Sequence, residues 1–142
     1  MIRTDSRKFR YYLRGYSSFA ICCAFVLFLH GCAGQSGYKS HPELRGYKET
    51  GVASYYARSL QYRKTASGEA LDNNLLTAAH KTLPFGTEVV VKNLNNGKSV
   101  KVRINDRGPF VKGRIIDLTR TAFSRISSLD KGVVKVEISV VK

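Results

Sequence analysis

Short segments of alternating apolar and polar residues, separated by turns, make up most of the chain after residue 50. Such alternation is typical of strands with one buried face, and the Asn-Gly pair in NNGK is typical of a hairpin turn. The predicted strands are GVASYY, LLTAAH, TEVVVKNL, SVKVRIND, RIIDL and VVKVEISVV, and TRTAFSRISSL has the apolar spacing of a helix. The sequence therefore predicts a mainly β domain of six short strands with one or two short helices.

The positions of the cysteines narrow the choice of fold. They are Cys22, Cys23 and Cys32, so the predicted domain can contain neither an internal disulfide nor a cysteine-ligated metal. The chain also has only 3 histidines, and we expect no metal centre and no cofactor. A sheet closed into a barrel has no unpaired edges, which suits a small domain without disulfides. We therefore expect a closed barrel over residues 51–142.

The first 31 residues are typical of a secretory signal peptide. A basic segment precedes the apolar run FAICCAFVLFL, which is shorter than the ~20 residues of a membrane-spanning helix. The next residues, LHGC, resemble the lipobox of bacterial lipoproteins, in which the cysteine, here Cys32, is lipidated. An uncleaved signal anchor is the alternative. The polar, glycine-rich residues that follow predict a lipidated tether over 32–50, and Ala33 after the cysteine favours the outer membrane by analogy with Gram-negative lipoproteins.

The chain is strongly basic, with 24 Lys and Arg against 10 Asp and Glu and a formal net charge of +14. Such a surplus indicates an anionic partner or a solvated basic surface. Charge alone does not choose among nucleic acid, phospholipid and cell-wall polymer. Export through a signal peptide argues against nucleic acid.

Two acids from separate segments are candidates for catalysis. Glu69 lies in KTASGEALD, and Asp106 ends a predicted strand in VRINDRGPF. A pair of carboxylic acids is the usual equipment for cleaving a glycosidic bond, and Asp72 is a spare candidate. The residues alone leave structural alternatives open: Asp106 as a turn cap, Glu69 as a solvated loop acid, and His80 as a hydrogen-bonded structural histidine.

Several longer motifs resemble the rare lipoprotein A family. They are GVASYYA, KTASGEALD, LTAAHKTLPFGTEVVVKNLNNGKSV and VRINDRGPFVKGRIIDLTRTAF, in that order. The resemblance implies a double-psi β-barrel related to expansins, and a lytic transglycosylase of the bacterial envelope that prefers glycan strands without stem peptides. It places the family's paired acids at Glu69 and Asp106 and its motif histidine at His80. Many members carry a C-terminal peptidoglycan-binding SPOR domain, which we do not expect after Lys142.

The resemblance implies cleavage between N-acetylmuramic acid and N-acetylglucosamine without water or metal. We expect Asp106 to protonate the glycosidic oxygen and then to accept the C6 hydroxyl proton, with Glu69 assisting; the sequence does not order these two roles. Expected contacts to the sugars come from His80, Thr65, Ser67, Asn105, Arg107 and Tyr55.

Two of these expectations carry alternatives. Tyr55 and Tyr56 alternate along a strand, so that one faces the groove and the other packs. The Arg107 head group is expected to point away from Asp106, with a structural ion pair to Asp117 or another acid as the alternative. We expect a monomer that binds peptidoglycan and is anchored to the membrane by lipid. A binder of peptidoglycan without catalysis, like an expansin, is the alternative function.

Overall fold

The computed structural model describes residues 42–141 of the chain. They form six strands and one α-helix, which are β1 (Lys48–Tyr55), β2 (Thr77–His80), β3 (Glu88–Asn93), β4 (Ser99–Asp106), β5 (Arg114–Leu118), α1 (Arg120–Ile126) and β6 (Val134–Val140). Short 3-10 turns lie at Pro42–Leu44, Arg58–Leu60 and Leu129–Lys131. In this part of the chain no helix is long and apolar enough to cross a membrane.

The strands close into a barrel in the order β1-β5-β2-β4-β3-β6. The pairs β1–β5 and β2–β4 are parallel, and the other neighbours are antiparallel. Parallel neighbours need crossover connections, so the chain passes across the barrel between strands instead of forming successive hairpins. This is the double-psi barrel expected from the sequence, with one α-helix, and the predicted fold class is confirmed.

The hairpin of β3 and β4 follows directly from the sequence. Gly97 of the Asn-Gly turn has a φ of 73°, a conformation that glycine adopts without a steric penalty. On both strands buried valines alternate with more exposed residues, as period-2 alternation requires: Lys92 and Lys101 are exposed and Val90 is half-buried. At the end of β4 the alternation stops, because Ile104 and Asn105 are both buried. The strand therefore leaves its regular pattern one residue before Asp106.

Helix α1 covers the barrel next to β1, β4 and β5. The Thr119 side chain caps its first turn by accepting a hydrogen bond from the Ala122 amide. Phe123 and Ile126 are fully buried in the core. The apolar spacing of TRTAFSRISSL thus identifies the helix correctly, although the helix itself ends at Ile126.

The barrel begins earlier than the predicted boundary at residue 51. Strand β1 starts at Lys48, which pairs with Ser139 of β6, and Tyr47 packs against the core. Lys48–Thr50 therefore belong to the barrel and not to a tether. The sequence missed this because these residues have no apolar side chain, and their place is set by pairing with a strand almost ninety residues away. The predicted signal peptide, Cys32 and the first part of the tether lie outside the described residues.

Candidate active site

The loop from Lys64 to Ala70 docks against the end of β4. An isolated bridge between Lys64 and Ala70 closes the loop, and the Thr65 amide donates to the Glu69 carbonyl at 2.8 Å. The loop is held to β4 by the Ser67 amide, which donates to the Asn105 carbonyl at 3.2 Å. One loop thus brings the TASGE motif onto the residues immediately before Asp106.

Asp106 accepts three hydrogen bonds from residues in the described part of the chain. Its Oδ1 accepts from the backbone amides of Ala66 and Arg107, each at 2.8 Å. Its Oδ2 accepts from the Tyr56 hydroxyl at 2.9 Å. Burial, and next the negative charge of Asp106, raise the pKa of Tyr56 well above its ordinary value, so the phenol stays protonated and remains a donor. The carboxylate is therefore fixed in orientation by groups from three segments.

A cavity of about 200 Å³ lies against Asp106. Within the described chain Asp106 is its one acidic lining residue; the others are Tyr56, Leu60, Arg63, Lys64, Thr65 and Leu71. The two basic residues make this cavity attractive to an anionic polymer. A carboxylate at the wall of a small cleft, held by neutral donors, can exchange a proton with a bound ligand.

Glu69 lies on the same loop but in a different electrostatic setting. Its carboxylate forms a two-point ion pair with Arg103, with N–O distances of 2.7 and 2.8 Å, and accepts from Asn105 Nδ2 at 3.0 Å. The hydrogen bonds from Arg103, above all, lower the pKa of Glu69 to about 2. Glu69 is therefore ionised at ordinary pH, and Arg103 compensates its charge. This favours Asp106 over Glu69 as the proton donor.

Thr65, Ser67 and Asn105 all take part in holding the loop. The Thr65 hydroxyl donates to the Glu69 carbonyl and lies 3.0 Å from the Ser67 hydroxyl. Asn105 is 2 % exposed, and its Oδ1 has no hydrogen-bond partner in the described chain. Their sugar contacts stay predictions, and the geometry adds a structural role to each.

His80 ends β2 and is 2 % exposed. Its Nδ1 accepts from the Leu83 amide at 3.1 Å, so the ring proton is on Nε2, which donates to Glu49 at 3.0 Å. Burial lowers the pKa of His80, and the ring is neutral. Both nitrogens are thus engaged within the chain, and the structure favours a positioning role over the sugar contact expected from the sequence.

Arg107 points away from the Asp106 carboxylate, as expected. Its Nη1 donates to the carbonyls of Leu83 at 2.9 Å and His80 at 3.3 Å. Its guanidinium carbon lies 3.8 Å from the centre of the Phe85 ring, a cation–π contact. Asp117 pairs with Arg114 instead, so the alternative ion pair does not form.

The structure gives the two tyrosines different surroundings, and the sugar contact expected of Tyr55 stays a prediction. The Tyr55 hydroxyl donates to the Leu129 carbonyl at 2.8 Å, and its ring packs 4.8 Å from that of Phe123. Tyr55 is thus partly buried and packs against the core, whereas Tyr56 faces Asp106. The alternation predicted one tyrosine on each side but gave no means of choosing between them.

Two further residues of the site were missed, Arg103 and Glu49, and Tyr56 was named only as the alternative to Tyr55. Arg103 lies two residues before Asn105 on β4, and residues two apart point to the same side of a strand. This spacing is a signal that could have identified Arg103. The described residues contain no group of three or more His, Cys, Asp or Glu side chains that could hold a metal ion.

Comparison with known proteins extends these observations. A family model described as lytic transglycolase matches residues 48–138. The endolytic peptidoglycan transglycosylase RlpA of Pasteurella multocida is 52% identical over 100 residues, which are 70% of this chain and 34% of that protein. The chain thus spans about a third of that relative's length.

Two solved structures have the same fold. A Streptomyces papain inhibitor has a TM-score of 0.57 and 28% identity, over 69% of this chain and 97% of the inhibitor. A Clavibacter michiganensis expansin in complex with cellohexaose has a TM-score of 0.54 and 17% identity, over 68% and 51% of the two chains. An inhibitor and an expansin share this fold, so the fold alone does not identify a function, which must be argued from the site.

Proposed function

Because the chain belongs to the lytic transglycolase family, we propose that its barrel cleaves peptidoglycan glycan strands by lytic transglycosylation, with Asp106 as the catalytic residue. The observation that carries the proposal is the placement of Asp106 at a cavity between Tyr56 and the Lys64–Ala70 loop. The names of the transglycosylase relatives supply the substrate class.

In the first half of the reaction, protonated Asp106 gives its proton to the glycosidic oxygen between N-acetylmuramic acid and N-acetylglucosamine. The C1–O bond breaks, and an oxocarbenium-like centre develops at C1 of the muramic acid. The Tyr56 hydroxyl, which lies 2.9 Å from Oδ2, can act as donor or acceptor. It can therefore accept from the protonated acid and donate to the carboxylate.

In the second half, the C6 hydroxyl of the same muramic acid attacks C1, and ionised Asp106 takes the hydroxyl proton. The product is a 1,6-anhydro end, and no water is consumed. The amides of Ala66 and Arg107 and the Tyr56 hydroxyl stabilise the carboxylate form that this half requires. One group thus serves as acid and then as base.

Glu69 has a supporting role in this proposal. Its ion pair with Arg103 and its bond to Asn105 hold the loop beside the cavity. An ionised carboxylate paired with an arginine has no proton to donate, so Glu69 positions the loop and substrate. His80 and Arg107 similarly fix the segment from His80 to Phe85 against the end of β4.

The finer parts of the proposal concern substrate and location. We propose that the chain cuts within strands and prefers strands without stem peptides. We further propose that Cys32 is lipidated and holds a monomer on the periplasmic side of the envelope, with the outer membrane as the site of anchoring. Several acyl chains, at about 0.8 kcal/mol for each buried methylene, would anchor it durably.

Product analysis tests the proposal. The full chain, extracted from the envelope in mild detergent, is incubated with purified sacculi and with peptide-free glycan strands. Mass spectrometry of the soluble products is expected to find 1,6-anhydro-muramic ends. Cosedimentation with sacculi without such products would support the expansin-like binder instead.

A further inference from the structure

A second cavity lies across the 3-10 turn Arg58–Leu60 from the one that holds Asp106. It has a volume of about 500 Å³. Leu60 lines the Asp106 cavity, whereas Arg58 and Gln61 line the second one. A polymer bound at Asp106 and crossing this turn would therefore meet the second cavity next.

Two arginines line the second cavity, Arg58 and Arg120, and no acidic residue of the described chain does. Neither guanidinium is paired with a carboxylate within residues 42–141. Asp72 touches two of the lining residues, because its Oδ1 accepts from Gln61 Nε2 and Asn74 Nδ2, and it keeps its negative charge. The two arginines in the lining outweigh this one neighbouring acid, so the cavity has a net positive charge.

The lining also contains a buried donor without a partner. Asn73 is 8 % exposed, its Oδ1 accepts from the Arg120 amide at 3.1 Å, and its Nδ2 has no hydrogen-bond partner in the described chain. Leaving a buried donor unpaired costs free energy, so such groups usually have an acceptor in the functional state. The Arg120 guanidinium lies 5.0 Å from the centre of the Tyr55 ring, a contact that helps to hold it over the cavity.

We propose that this second cavity binds a carboxylate of the glycan strand that Asp106 cleaves. The inference rests on the proposed function for the identity of the polymer. Guanidinium groups bind carboxylates through charge-assisted hydrogen bonds, and the Asn73 amide supplies a further donor. Two carboxylates are available on such strands: the lactyl group of muramic acid, which is free when the peptide has been removed, and the carboxylates of the peptide itself.

Binding to three forms of glycan strand tests this proposal. The first has been stripped of peptides and carries free lactyl carboxylates, the second is the same material capped as neutral methylamides, and the third retains its peptides. Dissociation constants of the full chain are measured by fluorescence anisotropy at physiological salt, within a time in which no anhydro ends are released, for the native protein, Arg58→Gln and Arg120→Gln. Arg125→Gln is the matched control, because Arg125 is an exposed arginine of α1 that does not line the cavity.

We expect the native chain to bind a carboxylate-bearing form about 10-fold more tightly than the capped strands, and we expect Arg58→Gln and Arg120→Gln to lose that difference while Arg125→Gln keeps it. If stripped strands bind more tightly than peptide-bearing strands, the bound carboxylate is the lactyl group. If peptide-bearing strands bind more tightly, it belongs to the peptide. Equal affinity for free and capped strands overturns the proposal, as does an equal loss in Arg125→Gln.

Anhydro products are measured separately. Discrimination without cleavage would contradict the proposed function alone, and cleavage without discrimination would contradict this inference alone.

Discussion

The Tyr56 hydroxyl donates to Oδ2 of Asp106 at 2.9 Å, across 50 residues of sequence. Its neighbour Tyr55 donates to the Leu129 carbonyl, on the other side of the strand. Two adjacent tyrosines thus have the same chemistry and separate surroundings, one at the carboxylate that we propose as catalytic and one packed against the core. This arrangement provides an internal comparison for testing the site.

Removing each hydroxyl in turn should separate catalysis from stability. Tyr56→Phe deprives Asp106 of its side-chain donor, and we expect the cleavage rate to fall about 10-fold, from the loss of one hydrogen bond to a charged group. Tyr55→Phe should leave the rate unchanged and lower the free energy of unfolding by about 1 kcal/mol. Initial rates and thermal melts of both variants check this. Equal loss of activity in the two variants would contradict the assignment.

Glu69→Gln removes the ion pair with Arg103. The pair is solvent-exposed, with the Glu69 side chain 43% accessible, so we expect the free energy of unfolding to fall by less than about 1 kcal/mol. We expect the cleavage rate to fall although stability changes little, because the loop beside Asp106 loses one of its ties to β4. Cleavage rates and melts compared with Glu137→Gln, which removes a more distant exposed pair with Lys48, test the claim.

The Glu69 contribution also has a defined pH dependence. Its pKa is about 2 in the folded chain against an ordinary 4.5, so its stabilisation is complete above pH 4.5 and is lost as the pH falls toward 2. The difference in unfolding free energy between the native chain and Glu69→Gln should therefore be constant near neutrality. It should shrink as the pH falls below 4.5. A difference that persists at pH 2 would rule out the ion pair as its cause.

The burial of His80 predicts a second pH dependence of stability, at a higher pH. Burial lowers its pKa below the ordinary 6.5, so the unfolded chain binds its proton first and stability falls as the pH drops below 6.5. Unfolding free energies measured from pH 8 to pH 5 should show this fall in the native chain and less of it in His80→Gln. Identical slopes in the two proteins would show that His80 is not buried in its neutral form.

Lipidation is predicted at Cys32. Cells expressing the full chain and fed a palmitate analogue should label the native protein and Cys23→Ala, but not Cys32→Ala. The unlabelled variant should also leave the membrane fraction. Label retained in Cys32→Ala would disprove the assignment.

Local patterns in the sequence predict much of this fold. The Asn-Gly turn and the alternation in TEVVVKNL and SVKVRIND define β3 and β4, and the apolar spacing defines α1, because each depends on neighbours in sequence. Glu69 and Asp106 were candidates from the residues alone, and the family resemblance chose them over the structural alternatives.

Alternation along β4 identifies the side of the strand on which Arg103 lies, but it does not predict that Glu69 is its partner. Arg103 meets Glu69 across 34 residues, and the start of β1 is set by β6. Such contacts depend on barrel closure, which alternation alone does not specify. The same is true of His80, whose burial against Glu49 joins two strands that lie 31 residues apart.

The most direct test of this account is the yield of 1,6-anhydro ends from peptide-free strands treated with native protein, Asp106→Asn and Asp130→Asn. Asp130 is an exposed acid in the 3-10 turn Leu129–Lys131 and serves as the matched control. Loss of a general acid and base typically costs about 100-fold to 10,000-fold in rate. We therefore predict a loss in that range for Asp106→Asn, with the native melting temperature approximately retained, and native yield for Asp130→Asn. A folded Asp106→Asn protein that releases anhydro ends at the native rate would contradict the central claim.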